Sequence, residues 1–251
     1  MSGTAGRWEK AAEAYATGEH KAGRELELVV QYAAPTGKER LLDIGTGAGH
    51  TALALAPRVG DVVLTDPVDA MLAQARRLFQ TADLWNAQFV RASAERLPFP
   101  KASFDIVTTR LAAHHFDDVA VAMREVARVL RPGGIFIFID TTAPEDPESA
   151  AYQDEVELLR DPTHKRIYTE REWIAFCEQA GMHMEKQEVV RKTHDFEPWL
   201  ERGGETATTQ QRVRNRFLQA PASAVRDLEI VTADGKVQSF TDRKLVLAAR
   251  R

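Results

Sequence analysis

Short apolar runs alternate along this chain with segments whose apolar residues recur at helical spacing. The runs end near Ile44, Asp66, Val90, Thr109 and Asp140, and helical patterns such as HTALALAP fill the gaps. That alternation predicts a parallel α/β sheet with right-handed crossover helices on both faces, and it sets the C-terminal ends of the strands along one ligand-binding edge. Residues 144–181 predict an insertion between the fifth and sixth strands, with a helix over TEREWIAFCEQAG. MHMEKQEVV predicts a sixth strand, Asp234-Gly235 a turn, and KLVLAA a last strand. Residues 201–216 are polar and predict a loop followed by an exposed helix, and the first 35 residues are helical in pattern up to AAPTG.

The first strand ends in LLDIGTGAGH, where glycines alternate after an acid. Gly45, Gly47 and Gly49 permit backbone torsions that other residues resist, and they let a ligand lie against bare main chain at the N-terminus of the next helix. A glycine turn of this kind serves dinucleotides as well as other nucleosides. Here His50 stands where a dinucleotide turn has its third glycine, and Asp43 would repel a pyrophosphate but stabilise a sulfonium or ammonium cation. S-adenosylmethionine is therefore favoured over NAD. Asp66 closes the second strand about 20 residues further on, where a carboxylate accepts from both ribose hydroxyls of either cofactor. Met71, on the helix starting near Asp69, is placed beside the adenine.

Five blocks taken together carry a resemblance. LLDIGTGAGHTALALAP, VVLTDPVDAML, FVRASAERLPFP, SFDIVTTRLAAHHF and REVARVLRPGGIFIFID follow one another in an order and spacing that resemble class I S-adenosylmethionine-dependent methyltransferases, in the type 11 group that includes the ubiquinone and menaquinone biosynthesis C-methyltransferases. RWEKAAEAYATGEHKAG resembles that family's N-terminal lid, and LRDPTHKRIYTEREW resembles a segment of uncharacterised bacterial members.

The resemblance implies a Rossmann-like fold with a mostly parallel seven-stranded sheet, the last strand antiparallel. It implies S-adenosylmethionine as methyl donor, S-adenosylhomocysteine as product, and a lid that brings Tyr15 and His20 to the methionine part of the donor. Many members carry aspartate at the position of Ser93, so the adenine edge here falls to Ser93, to the N–H of Ala94 or to Glu95. With Asp43, Gly45, Thr46, Gly47, Gly49, Asp66, Pro67, Met71 and Arg110, these residues form the expected cofactor-binding set.

The fourth strand leaves Arg110 to Phe116 at the site edge. If the acceptor is a phenol, hydroxyl or activated carbon, a proton must leave, and a neutral histidine can take it. His115 or His114 is the expected base. Successive helical residues point about 100° apart, so both cannot face one small pocket unless the turn is irregular, and one of them is expected to be structural. In the insertion, Arg160, His164, Arg166 and Tyr168 suggest contacts with a polar or anionic acceptor, although the arginines equally suit ion pairs with Asp161 or Glu170.

Composition narrows the rest. With 251 residues, 44% hydrophobic and 28% charged, the chain suffices for a single domain, divided into a lid (1–36), a donor-binding core (37–143), an acceptor-side insertion (144–181) and C-terminal strands and helices (182–251). A net charge of −4 and scattered basic residues argue against a nucleic-acid partner. One cysteine and seven histidines without zinc-type spacing suggest no metal site and a reducing compartment. Without a signal peptide or an apolar run long enough to span a bilayer, a cytoplasmic enzyme acting on a small-molecule acceptor, aromatic or quinol-like, is expected. The competing readings are a non-catalytic donor-binding or regulatory protein and, more remotely, an NAD(P)-dependent oxidoreductase.

Overall fold

The computed structural model describes residues 23–203 and 206–251. After helix α1 (Arg24–Ala33) the chain alternates β1 (Arg40–Ile44), α2 (His50–Leu55), β2 (Asp61–Asp66), α3 (Asp69–Thr81), β3 (Ala87–Arg91), β4 (Phe104–Arg110), α4 (Val119–Val129) and β5 (Leu130–Thr141). Then come α5 (Pro147–Arg160), α6 (Glu170–Gln179), β6 (His183–Asp195), α7 (Phe196–Arg202), α8 (Ala207–Leu218), α9 (Ala222–Asp227), β7 (Val231–Ala233) and β8 (Lys236–Arg250).

The strands order as β3-β2-β1-β4-β5-β8-β6. The first five are parallel, and β8 runs antiparallel between β5 and β6. This is the seven-stranded arrangement the resemblance implies, with an eighth strand, the short β7, paired to β8. The β7–β8 turn falls at Asp234-Gly235, both at positive φ (51° and 70°), as a tight right-twisting hairpin requires.

Alternate strand residues supply two apolar cores. Leu42, Val63, Val107, Phe136 and Leu247 pack on one face, and Leu41, Val62, Leu64, Ile106 and Val246 on the other. Burial on both faces is what crossover helices demand of a parallel sheet. At the β6 end a third cluster joins Tyr152 and Val156 of α5 to Phe196, Trp199, Phe217 and Phe240.

Two elements depart from expectation. The stretch before Arg160 is helical: Asp146 caps it by accepting from Ser149 N–H at 2.9 Å, and Pro147 occupies its first turn, where a missing N–H costs nothing. Helix α8 is not simply exposed, because Val213 and Phe217 are buried in the third cluster. The helix expected from TEREW is present and opens on a capping box, with Thr169 and Glu172 bonding each other's backbone N–H.

Candidate active site

A cavity of about 650 Å³ opens along the C-terminal edge of the sheet, a size suited to a small-molecule site. Its first wall is the turn after β1. Gly45 and Gly47 take left-handed torsions (φ 61° and 52°). A Cβ on Gly45 would lie 2.7 Å from the Cβ of Ala112, whereas one on Gly47 would meet nothing within 4 Å, so bare main chain faces open space. Gly49 does not line the cavity. It caps the start of α2, where a Cβ would lie 3.0 Å from Ala75 Cβ on α3, so its part is close helix approach rather than the ligand contact expected of it.

Asp66 ends β2, and its carboxylate accepts from Gly47 N–H and Val68 N–H, each at 2.9 Å. Those bonds tie the glycine turn to the start of α3 while leaving lone pairs toward the cavity. Burial raises the pKa of Asp66 to about 6 despite the two donors. Asp43 lies deeper. Thr108 Oγ1 donates to it at 2.6 Å and Thr46 Oγ1 at 2.5 Å, and burial outweighs those bonds to push its pKa up. Its two hydroxyl partners join Thr46 of the turn to β4.

Pro67, Met71, Ser93, Ala94 and Glu95 line the end beyond Asp66. Glu95 Oε1 accepts from Asp117 N–H at 2.9 Å, which holds the loop after β4. Arg110 lines the cavity too, buried and donating from Nε to Thr51 Oγ1 at 2.9 Å. Tyr15 and His20 lie outside the described residues.

After β4 the chain makes a single 3₁₀ turn, Ala113–His115. Both His114 and His115 line the cavity, their ring centroids 4.1 Å apart. The turn is the irregular kind that lets two successive histidines share a cavity, and it sets both rings at its edge. They are not equivalent. His114 Nδ1 lies 2.6 Å from Asp140 Oδ1, and the other Asp140 oxygen accepts from Ala113 N–H and His114 N–H at 2.8 and 3.1 Å. His115 Nδ1 lies 3.2 Å from the Thr163 carbonyl. Burial lowers the pKa of His114, but the charge and hydrogen bond of Asp140 more than offset it. Burial and the neighbouring His114 push His115 well below its ordinary value. A proton shared by the pair therefore sits on His114.

Of the four insertion residues, Arg160 and His164 reach the cavity and Arg166 and Tyr168 do not. Tyr168 packs at 5.0 Å from Trp173 and 5.1 Å from Phe176, and Arg166 lies over Tyr168 while pairing with Glu172 at 2.6 Å. The aromatic stack under α6 draws both away. Arg160 pairs with Glu157 at 3.1 Å and lies over Trp199. His164 Nε2 bonds Asp154 at 2.9 Å, an anchor for the loop.

The sequence reading missed Asp140, although it ends an apolar strand as Asp66 does, and it missed the polar floor formed by Lys192, His194, Asp242 and Lys244.

A family described as Methyltransferase domain matches residues 42–138. The chain is 37% identical over 219 residues to the uncharacterized methyltransferase YcgJ of Bacillus subtilis, covering 87% of this chain and 86% of YcgJ. The crystal structure of YcgJ superimposes with a TM-score of 0.88 over 90% of this chain and 97% of that one, at 35% identity. A proposed methyltransferase of Bacillus halodurans gives the same score and identity over 91% and 99%. The chain is also 36% identical over 134 residues, 52% of each chain, to the ubiquinone/menaquinone biosynthesis C-methyltransferase UbiE of Ectopseudomonas mendocina.

Proposed function

The chain belongs to the class I S-adenosylmethionine-dependent methyltransferases, and we propose that it moves a methyl group to a small-molecule acceptor held beside His114. The observation that carries this reading is one cavity with a glycine-and-carboxylate end, at Gly45, Gly47 and Asp66, and with His114, bonded to Asp140 behind it, on its wall.

The first end fits the donor. Open space over Gly47 accepts a nucleoside against main chain, and Asp66 retains acceptor capacity for two ribose hydroxyls. Met71 and the Ser93–Ala94 segment flank the adenine position, with Ala94 N–H as the main-chain contact. When bound, S-adenosylmethionine supplies a methyl group already activated on a sulfonium, so alignment of the reactants provides much of the rate.

The chain's own chemistry is proton removal. Asp140 holds His114 Nδ1–H and leaves Nε2 as the accepting atom. A cationic donor held in the same cavity would favour neutral His114, because like charges disfavour each other. His114 Nε2 would take the acceptor's proton, and Asp140 would stabilise the resulting imidazolium. His115, kept neutral, fixes the loop through Thr163 and walls the acceptor.

Residues 144–203 and β6–β8 form the acceptor side, and an aromatic or quinol-like metabolite is the acceptor this reading favours. Among the described residues no helix is long and apolar enough to cross a membrane, and we place the enzyme in the cytoplasm. Thermal unfolding with adenosyl ligands beside NAD and NADP tests the donor assignment.

A further inference from the structure

Lys165 N–H donates to the carbonyl of His114 at 2.9 Å, so the loop between α5 and α6 is tied by its backbone to the histidine turn. The loop is also braced within itself, because Asp161 Oδ1 accepts from Thr163 N–H at 2.9 Å and from Thr163 Oγ1 at 2.6 Å. Held this way, the ring of His164 comes to 5.7 Å from the ring of His114, centroid to centroid, tilted by 37°. Both residues line the cavity.

The two imidazoles share one arrangement. His114 turns Nδ1 to Asp140 at 2.6 Å, and His164 turns Nε2 to Asp154 at 2.9 Å. The same Asp154 oxygen accepts from Ile167 N–H at 2.7 Å, which fixes that carboxylate. An ionised carboxylate only accepts, so the nitrogen facing it carries the proton and the other nitrogen of a neutral ring is an acceptor. Those acceptors are His114 Nε2 and His164 Nδ1. Neither has a partner among the described residues, and neither is sealed from water, although the His164 side chain is only 3% exposed. For a nearly buried ring on a cavity wall, the opening to water is the cavity. Anchoring of the loop uses Nε2 alone and leaves the open Nδ1 unexplained.

Two neighbouring acceptors call for two donors. Hydroxyls bonded at about 2.8 Å to each nitrogen, on adjacent or next-but-one carbons of one ring, bridge imidazoles at this separation. A ligand with a single hydroxyl would desolvate one acceptor without pairing it.

We propose that His164 is a specificity-determining residue, and that the methyl acceptor is a dihydroxy compound that donates one hydroxyl to His114 Nε2 and a neighbouring one to His164 Nδ1. The inference rests on the methyltransferase reading, which sets the acceptor beside His114, and it adds a second hydroxyl close to the first as the feature recognised.

The test uses the full chain saturated with S-adenosylhomocysteine and calorimetric titration of catechol against 2-methoxyphenol and of resorcinol against 3-methoxyphenol. Each ether keeps both oxygens but loses one donor. At least one diol binds about threefold or more tightly than its ether, and the pair that shows the gain gives the spacing of the hydroxyls. Two variants separate this role from loop anchoring. In His164→Gln the amide nitrogen reaches Asp154 as Nε2 does, and no acceptor stands at the place of Nδ1. In His164→Asn the shorter amide stands near the place of Nδ1, and the bond to Asp154 is lost. His164→Gln therefore keeps the wild-type Tm and reduces the diol advantage to less than about twofold, whereas His164→Asn lowers Tm and retains the advantage. Diols that bind no better than their ethers overturn the assignment, as does an advantage undiminished in His164→Gln or lost only in His164→Asn. Failure of S-adenosylhomocysteine itself to bind would instead strike at the donor assignment beneath it.

Discussion

His114 Nδ1 lies 2.6 Å from a carboxylate oxygen of Asp140, and the other oxygen of Asp140 receives two backbone N–H groups from the turn that carries the histidine. One buried acid at the end of β5 thus sets both the path of the loop after β4 and the tautomer of its first histidine. With Nδ1 protonated toward Asp140, Nε2 is the atom able to accept a proton.

If His114 is the base, His114→Gln lowers kcat by about 10²- to 10⁴-fold with donor affinity changed by less than about threefold. His115→Gln lowers kcat far less, because its part is the contact with Thr163. Steady-state kinetics beside calorimetric titration of S-adenosylhomocysteine separates the two, and equal losses in both variants contradict the assignment.

Asp140→Asn removes the charge that raises the His114 pKa above the value burial alone would give it. The rate requires neutral His114, so activity rises with pH through that pKa. In the variant the rising limb moves to lower pH while the plateau falls, as measured in a kcat–pH profile. A purely structural Asp140 would lower the plateau and leave the limb in place.

Asp66 sets a second pH dependence. Its pKa in the ligand-free site is raised to about 6, chiefly by burial, and only the ionised form accepts from both ribose hydroxyls. Donor affinity is therefore constant above about pH 6 and falls below it, approaching tenfold for each pH unit until the pKa of the bound form is reached. Titration of S-adenosylhomocysteine between pH 5 and 8 shows this. Affinity that is flat to pH 5 contradicts the ribose assignment.

Gly45→Ala meets two obstacles, a left-handed φ of 61° and a contact of 2.7 Å with Ala112 Cβ. Relief displaces the glycine turn or the histidine loop, so the variant loses about 1–3 kcal/mol of stability and at least tenfold in donor affinity. Gly49→Ala, strained in φ and 3.0 Å from Ala75 Cβ, costs stability with a smaller effect on intrinsic affinity. Urea unfolding and titration of the two variants distinguish them.

The glycine-turn edge of the sheet was legible in the sequence because its signals are local. The apolar runs ending at Ile44 and Asp66, the glycine spacing and the hairpin at Asp234-Gly235 each depend on a few neighbouring residues. The far end of the cavity depends on packing between distant segments. His194 meets Asp242 through the register of β6 on β8, 48 residues apart. Polarity alone grouped Arg166 and Tyr168 with Arg160, but a stack on Trp173 turned Tyr168 out of the cavity and took Arg166 with it. The histidine pair was judged by α-helical angles against a small pocket, and the chain built a 3₁₀ turn at the edge of a large one.

Donor binding is the central claim, and thermal unfolding tests it most directly. With S-adenosylmethionine or S-adenosylhomocysteine at about 100 times the dissociation constant, Tm rises by roughly 5–10 °C, while NAD and NADP leave it unchanged. A rise with NAD or NADP and none with the adenosyl compounds would contradict the account.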